Sequence, residues 1–378
     1  MRFGQAISLV TMMLLSRSTA FCRQLSSSSA ASSRVIRHLS SSSSITSGAT
    51  ELIRQDAETQ MSKLTEYYSS VESFSTPTMW QTRKEASEFV QEHIDTVLFD
   101  CDGVLYRTSD VCPGASDCIQ GLMDSGKKVL FVTNNAGVNR RELRDKISKL
   151  LGIPELSVEQ MVSSSYSCAQ YLQHQLPANS RIHVIGSSGL CEEIANTSGF
   201  QVTGGPSDES PSMTRQELEE YQFPEHPIDA IAVGHDTQFS FRKLSIANNL
   251  LLLNKQALLV ATNEDSFDLV GTDHRHIPGN GCTVKALEHC SRRSAINVGK
   301  PSSVLWELLV DQHGLDPAKC LFVGDRLDTD VKFGNDHGMK SLLVMTGVTT
   351  AETMMELAQG TPEEPLPRFV VPYIGMLV

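Results

Sequence analysis

The chain has 378 residues, of which 40% are hydrophobic and 20% are charged, and its formal net charge is −12. The length exceeds the roughly 250–300 residues at which a single core stops growing, so we expect two globular domains plus an extension. The negative charge argues against a nucleic-acid partner. No apolar run approaches the roughly 20 residues of a spanning helix, so no membrane partner is expected.

Residues 1–50 have the composition of a targeting leader. They contain no Asp or Glu, five Arg, and serine runs at 26–29 and 40–44. The apolar run at 6–15, followed by Ser-Thr-Ala and Phe21, is similar to bipartite plastid leaders and favours the plastid. The Arg-containing stretch at 34–40 keeps the mitochondrion as the alternative.

Residues 51–90 are interpreted as a linker followed by a short N-terminal helix. Positions 51–79 are polar and mixed, with a helical stretch at 55–68 and a breaker at 75–77. Residues 80–93 place Ala86, Phe89 and Val90 on one face, which predicts an amphipathic helix that leads into the first strand.

Beyond residue 94, short apolar runs alternate with segments of helical periodicity. This pattern predicts an α/β fold in which helices cover a parallel sheet. The predicted strands are 96–99, 128–132, 182–185, 230–233, 258–261, 295–298, 320–323 and 341–345. Four of these runs end in polar clusters, and open parallel sheets bind ligands at the carboxyl ends of their strands. We therefore expect the four clusters to converge on one site.

The first cluster holds Asp100 and Asp102, which follow a buried strand and precede Gly103. A carboxylate is a competent nucleophile toward phosphorus when a cation offsets the negative charges. We interpret Asp100 as the nucleophile, and Asp102 as the general acid and base. Taken alone, either Asp is also compatible with a simple turn cap.

Two further clusters offer phosphate contacts. Thr133, Asn134 and Asn135 end the second strand, and their hydroxyl and backbone N–H groups suit phosphate oxygens. Lys300 lies between Gly299 and Pro301, where its ammonium is expected to hold phosphate and nucleophile together as a catalytic group. A capped turn and a solvated surface Lys are the corresponding structural alternatives.

The last cluster, residues 324–330, places three Asp within six positions after an apolar strand. Magnesium prefers a few carboxylate oxygens and retains water ligands. We expect Asp325 to bind Mg²⁺ together with the Asp100 carboxylate and the Asp102 backbone carbonyl, and Asp330 to orient metal-bound water. Asp328 is interpreted as a negative charge near the N-terminus of a helix.

These four motifs, in this order, resemble the haloacid dehalogenase (HAD) superfamily, in particular its phosphoglycolate and pyridoxal phosphatase group. The resemblance implies a Rossmann-like parallel-sheet core at 91–178 and 295–370, with an inserted α/β cap at 179–294. It also implies a Mg²⁺ cofactor, a small phosphorylated metabolite as partner, and a homodimer. The group's substrate loop corresponds to residues 274–281, where His276 is a candidate substrate contact and His274 and Arg275 are its neighbours.

The resemblance and the leader together predict 2-phosphoglycolate phosphatase, acting through an aspartyl phosphate. Pyridoxal phosphate and glycerol 3-phosphate are the alternative substrates. A relative that binds a phosphorylated ligand without catalysis is the alternative of another class. Ala136 stands where the family often has Ser, which affects expected substrate contacts rather than the chemistry.

Overall fold

A computed structural model of the chain describes residues 42–70, 76–207, 212–270, 275–359 and 365–378. The strands, numbered β1 to β16, are Thr78–Met79, Thr96–Phe99, Tyr106–Arg107, Asp110–Val111, Lys128–Thr133, Met161–Ser163, Arg181–Ile185, Gln201–Gly204, Ala230–Val233, Leu258–Ala261, Phe267–Val270, Arg275–Pro278, Ile296–Asn297, Cys320–Gly324, Lys340–Val344 and Phe369–Val371. The α-helices, numbered α1 to α12, are Ser42–Ser70, Arg83–His93, Ala115–Asp124, Arg140–Leu151, Ser164–Gln175, Ser188–Ala195, Arg215–Glu220, Phe241–Leu253, Asn280–Ser291, Ser303–His313, Lys332–Asp336 and Ala351–Gln359.

The larger sheet has seven strands in the order β1-β16-β15-β14-β2-β5-β6, and every neighbouring pair is parallel. Central β2 is buried throughout and sends alternate side chains to opposite faces. Val97 and Phe99 join one apolar cluster, whereas Leu98 joins another. Helices therefore cover both faces, which confirms the predicted α/β class.

A second sheet is inserted between β6 and β14 of the first. It has five parallel strands in the order β13-β10-β9-β7-β8. Strand β9 of this sheet also contributes side chains to two apolar clusters. Ile231 and Val233 pack in one cluster on one face, and Ala230 and Ala232 pack in the other cluster on the opposite face. The antiparallel hairpin β11-β12 follows β10 in the chain, and its strand β12 lies within the predicted substrate loop 274–281.

The expected boundary at residue 295 differs from the structure. The predicted core strand 295–298 is observed as β13, and Ile296 and Asn297 pair with Val260 and Ala261 of the smaller sheet. Helix α5 also joins the two parts, because Tyr166 packs in a core cluster while Leu172 packs in a cap cluster. The second crossing between the sheets therefore follows residue 297.

The interpretation of residues 51–79 as a linker is wrong for most of this segment. Residues 51–70 belong to helix α1, whose Ala57, Met61 and Leu64 are buried against the larger sheet and its connections. The predicted helix before the first strand is observed as α2, with a capping box between Thr82 and Glu85.

The proposed leader at 1–50 lies almost entirely outside the described residues, as do residues 71–75 of the segment interpreted as a linker. Of the helices that the structure describes, none combines the length and the apolar character required to cross a bilayer.

A buried ion pair lies beside the smaller sheet, between a residue of α8 and a residue that follows β9. Lys243 of α8 donates to Asp236 at 2.6 Å, and the side chains are only 3% and 6% exposed. A buried ammonium without its carboxylate would keep its desolvation cost and lose its compensating charge.

We expect Asp236→Ala to lower the free energy of unfolding by about 3–5 kcal/mol, because Lys243 is left unpaired in the interior. Circular dichroism in urea is the suitable measurement, since both Trp residues, Trp80 and Trp306, pack in the larger domain. The matched control is Asp95→Ala, which removes an exposed pair with Lys319. Equal losses in both variants would contradict the role of burial.

Candidate active site

The carboxyl ends of the central strands place the predicted acidic residues side by side. In the register of β2, Phe99 lies opposite Val323 of β14 and Phe131 of β5. Asp100 continues this pairing, since its N–H donates to the Val323 carbonyl at 2.8 Å. Asp325 and Thr133 therefore emerge from the adjacent strand ends, as the sequence predicted.

Lys300 reaches the same point from the other sheet, three residues after β13. Its ammonium is 2% exposed and donates to Asp100 Oδ1 at 2.6 Å and to Asp330 Oδ1 at 2.7 Å. The alternative of a solvated surface Lys is therefore excluded. Three of the four clusters come from the larger sheet and the fourth from the inserted one, so the site depends on both parts of the fold.

The Asp330 carboxylate organises the loop that carries Asp325. Its Oδ2 accepts the backbone N–H groups of Asp325 and Arg326 at 3.0 and 3.1 Å, while Oδ1 accepts from Lys300. Both oxygens of Asp330 therefore have protein partners. This arrangement suits a carboxylate that positions its neighbours rather than one that faces an ion directly.

Asp325 has one oxygen in use and one without a partner. Oδ2 accepts the Val348 N–H at 2.7 Å, but Oδ1 is buried with no hydrogen-bond partner. Carboxylate oxygens of Asp100, Asp325 and Asp330 lie within 4.8 Å of one another. An unpaired buried carboxylate oxygen is costly, and a set of hard oxygen donors fits a cation such as Mg²⁺ or Ca²⁺. The residues present therefore fit a divalent metal ion.

The electrostatics of the cluster reflect three buried carboxylates around one ammonium. Burial opposes the charged form of Lys300, but the carboxylates of Asp100 and Asp330 outweigh it and raise its pKa. Burial and the neighbouring Asp330 raise the pKa of Asp325 to about 7. Burial likewise raises the pKa of Asp100, although Lys300 opposes the rise. One ammonium thus compensates the carboxylates incompletely.

Asp102 lies beside the buried cluster with its side chain open to solvent. Although the carboxylate is accessible, the dense protein around it raises its pKa, while nearby Lys146 and a hydrogen bond with Asn135 oppose the rise. An accessible carboxyl group with a raised pKa is suited to exchange a proton with a bound molecule. The geometry is therefore compatible with the predicted acid and base role.

The last residue of β5, Thr133, and the two residues that follow it make different contacts. The Thr133 hydroxyl oxygen accepts the Asn135 N–H at 3.1 Å, which caps the turn. The Asn134 side chain is fully engaged in protein bonds, with its Oδ1 accepting from the Lys300 N–H at 2.8 Å and its Nδ2 donating to Asp265 Oδ1 at 3.0 Å. Phosphate contacts through the Thr133 hydroxyl and the backbone N–H groups of Asn134 and Asn135 remain a prediction.

His276 lies on β12 and not among the acidic residues. Its ring stacks on Phe267 with centroids 4.2 Å apart, and Arg326 lies over the same Phe267 ring at 5.0 Å. Arg326 also donates to the Phe267 carbonyl at 3.1 Å, which joins the metal-site loop to the hairpin. A substrate contact by His276 remains a prediction, and His274 lies outside the described residues.

Sequence reasoning missed two positioning residues, Asp265 and Arg326. Asp265 holds Asn134, and burial raises its pKa to about 6 while Arg326 opposes the rise. A signal for Asp265 was present, since Asn263 and Asp265 follow β10 just as the other polar clusters follow their strands. Nothing in the local pattern distinguishes Arg326 from a surface Arg.

Two glycines allow the backbone to approach Asp325. A Cβ at Gly103, where φ is +79°, would lie 2.5 Å from Asp325 Oδ2, and a Cβ at Gly347 would overlap the same oxygen. The loop at Gly347 therefore closes over this carboxylate only because no side chain intervenes.

The fold and the site define an α/β protein in which buried carboxylates that fit a divalent cation lie where two parallel sheets meet. Residues 97–201 match the family described as haloacid dehalogenase-like hydrolase, and residues 297–375 match a second description, HAD-hydrolase-like. The chain belongs to the haloacid dehalogenase-like hydrolases, as the resemblance implied, and it is a phosphatase.

Curated relatives are similar over most of their length. Phosphoglycolate phosphatase 2 of Arabidopsis thaliana is 35% identical over 72% of this chain and 89% of its own. Glycerol-3-phosphate phosphatase of Gallus gallus is 37% identical over 71% of this chain and 85% of its own. The chloroplastic phosphoglycolate phosphatase 1A of A. thaliana is 33% identical over 73% of this chain and 75% of its own.

Solved structures share the fold. The p-nitrophenyl phosphatase from Archaeoglobus fulgidus is 26% identical with a TM-score of 0.63, and the match covers 75% of this chain and 98% of that one. A glycerol phosphate phosphatase from Mycobacterium tuberculosis in complex with magnesium is 26% identical with a TM-score of 0.60, and the match covers 76% and 77%. That phosphatase has also been solved with calcium.

We expect Gly347→Ala to lower phosphatase activity at least about tenfold, because the added Cβ displaces the Asp325 carboxylate from the Val348 N–H. Hydrolysis of 4-nitrophenyl phosphate at saturating Mg²⁺ measures the effect. Gly121→Ala is the control, since its Cβ would contact only Val378 at 3.3 Å, away from the site. Activity of the Gly347 variant equal to that of the control would contradict this account.

Proposed function

We propose that the chain is a Mg²⁺-dependent phosphomonoester hydrolase that acts through an aspartyl phosphate on Asp100, with 2-phosphoglycolate as its substrate. The observation that carries the proposal is the buried contact of the Lys300 ammonium with Asp100 beside the unpartnered oxygen of Asp325. This arrangement provides a nucleophile, a fixed positive charge and a free ligand oxygen at one point.

In the first step, a carboxylate oxygen of Asp100 forms a bond to phosphorus as the bond from phosphorus to the ester oxygen breaks. The carboxyl group of Asp102 gives its proton to the departing oxygen, which leaves as an alcohol. Lys300 contacts Asp100 at 2.6 Å, so its charge stabilises the negative charge that accumulates in the transition state.

In the second step, a water molecule attacks phosphorus and gives its proton to the Asp102 carboxylate. The bond between phosphorus and Asp100 breaks, and inorganic phosphate leaves with the enzyme restored. Asp102 thus serves as acid and then as base, and its accessible position allows both transfers.

The proposed Mg²⁺ ligands are the carboxylates of Asp100 and Asp325 and the backbone carbonyl of Asp102. When bound, the ion supplies positive charge that offsets the carboxylates and the phosphate. Asp330 is assigned to positioning, because its two oxygens already bind Lys300 and the backbone of the Asp325 loop. The magnesium complex of a solved relative supports the choice of ion.

We expect Asp100→Asn to reduce 4-nitrophenyl phosphate hydrolysis at least about 10³-fold, because an amide is a poor nucleophile and the covalent route is lost. Steady-state kinetics with purified protein provide the measurement. The control is Asp117→Asn, the same substitution at an exposed position of α3.

Chelation by EDTA should abolish the wild-type activity, and added Mg²⁺ should restore it. Activity that persists in the Asp100 variant would show that another group attacks phosphorus. Activity that survives EDTA would argue against the metal.

The assignment of 2-phosphoglycolate combines two observations. Two of the relatives named above are phosphoglycolate phosphatases, one of them chloroplastic, and residues 1–50 have the composition of a plastid leader. We accordingly propose a plastid location, with the mitochondrion as alternative, and a homodimer. Glycerol 3-phosphate is the second candidate, because a relative with 37% identity is named for it.

At equal concentrations of 2-phosphoglycolate, glycerol 3-phosphate and pyridoxal phosphate, we expect 2-phosphoglycolate to have the highest kcat/KM, by about tenfold or more. Release of inorganic phosphate measures all three reactions in one assay. Preference for either of the other compounds would overturn the substrate assignment and leave the chemistry at Asp100 unaffected.

A further inference from the structure

Helix α1 packs behind the loops that carry the metal-site carboxylates. It precedes residue 97, where the match to the family begins. Its buried residues Ala57, Met61 and Leu64 belong to one apolar cluster. The same cluster contains side chains that flank Asp330 and side chains that follow β15, namely Leu327, Val331, Met345, Ala351 and Met354. Leu327 and Val331, which flank Asp330 in the sequence, therefore lie in the same apolar cluster as α1.

Polar contacts extend this packing to the loop at 345–351. Gln60 Oε1 accepts the Ala351 N–H at 2.9 Å. Asp56 lies 3.7 Å from the guanidinium of Arg107, and Arg107 donates to the Thr346 carbonyl. The helix therefore contacts this segment directly at Ala351, and it reaches Thr346 only through Arg107.

The inner side of the same loop binds Asp325. The Val348 N–H donates to Asp325 Oδ2 at 2.7 Å, and the Thr349 N–H donates to the Asp325 carbonyl at 3.1 Å. Thr346 Oγ1 also donates to the Gly103 carbonyl at 2.6 Å, next to Asp102. Residues 345–351 are thus packed between α1 on one side and two of the acidic motifs on the other.

We propose that α1 is a positioning element for the metal centre, in which Gln60 and Leu64 hold the 345–351 loop and the Asp330 segment so that Asp325 presents its free oxygen. The inference rests on the proposed function, because it assumes that this oxygen binds Mg²⁺. Groups that orient metal ligands typically contribute about 10- to 100-fold to metal affinity. Because α1 acts through one further layer of contacts, its effect is smaller.

Four variants of the full chain test the proposal. Gln60→Ala removes the bond to Ala351, and its matched control Gln55→Ala removes a bond to Glu51 within the exposed face of α1. Leu64→Ala removes buried side-chain volume from the apolar cluster of α1. Its matched control, Leu250→Ala, removes the same volume from a different apolar cluster, in the inserted part of the fold. The leucine control separates a local effect from a general loss of stability.

Two measurements are made well below the thermal midpoint of each variant. Calorimetric titration of metal-free protein with Mg²⁺ should show about threefold to tenfold weaker binding in the Gln60 and Leu64 variants, with both controls within about twofold of wild type. Hydrogen exchange of metal-free protein should show faster exchange across 345–351 in the same two variants and not in Leu250→Ala.

If the Gln60 and Leu64 variants lose thermal stability but keep wild-type Mg²⁺ affinity and exchange across 345–351, then α1 is only a stabilising cover and the proposal is wrong. If wild-type protein binds no Mg²⁺, the proposed function fails separately. In that case the hydrogen-exchange data test whether α1 orders residues 345–351. Unchanged exchange in the Gln60 and Leu64 variants would overturn this inference as well.

Discussion

Charge balance among the buried ionisable groups is the constraint on which the site depends. Three carboxylates, from Asp100, Asp325 and Asp330, meet a single ammonium, from Lys300. Two buried charges of opposite sign stabilise each other only when the geometry is good and the remaining lone pairs are satisfied. The rest of the architecture brings Lys300 into contact with Asp100 and Asp330 and leaves one buried oxygen of Asp325 without a partner.

The position of Lys300 depends on both sheets. Because β13 belongs to the inserted sheet, the Lys300 backbone would be free to move with the cap unless the core held it. Asn134 provides that attachment, since it binds both the Lys300 N–H and the Lys300 carbonyl. Asp265 binds the other side of Asn134, and Arg326 contacts the hairpin. The polar side chains at the junction therefore fix the ammonium relative to the nucleophile, even though a cap must admit substrate.

The sequence predicted what depends on local pattern and missed what depends on remote packing. Apolar runs followed by polar residues identified the central strands and the acidic residues at their ends. A strand that is buried on both faces is a continuous apolar run in the sequence, and the ligand-binding edge of the sheet is formed by the polar residues that follow such runs. The edge strand β1 and its neighbour β16 have two and three residues, too few for a periodic signal. The spacing of Ile53, Ala57, Met61 and Leu64 was helical, but abundant polar neighbours made the segment resemble a linker. The hydrogen bond from the Lys300 N–H to Asn134 could not be predicted from a local pattern, because the two residues are 166 positions apart in the sequence.

The different surroundings of Asp325 and Asp330 follow from the same constraint. Both follow β14 within six positions, and we expected from the sequence that Asp325 binds the metal ion and that Asp330 orients metal-bound water. Asp330 is enclosed by donors on both oxygens, so its charge is already compensated within the protein. Asp325 has a single donor, the Val348 N–H, and its second oxygen is buried without one. Since a buried anion without compensation is unfavourable, evolution would be expected to remove such an oxygen unless a ligand occupied it. The asymmetry therefore supports the proposal that Asp325 binds the metal ion directly and that Asp330 positions its neighbours.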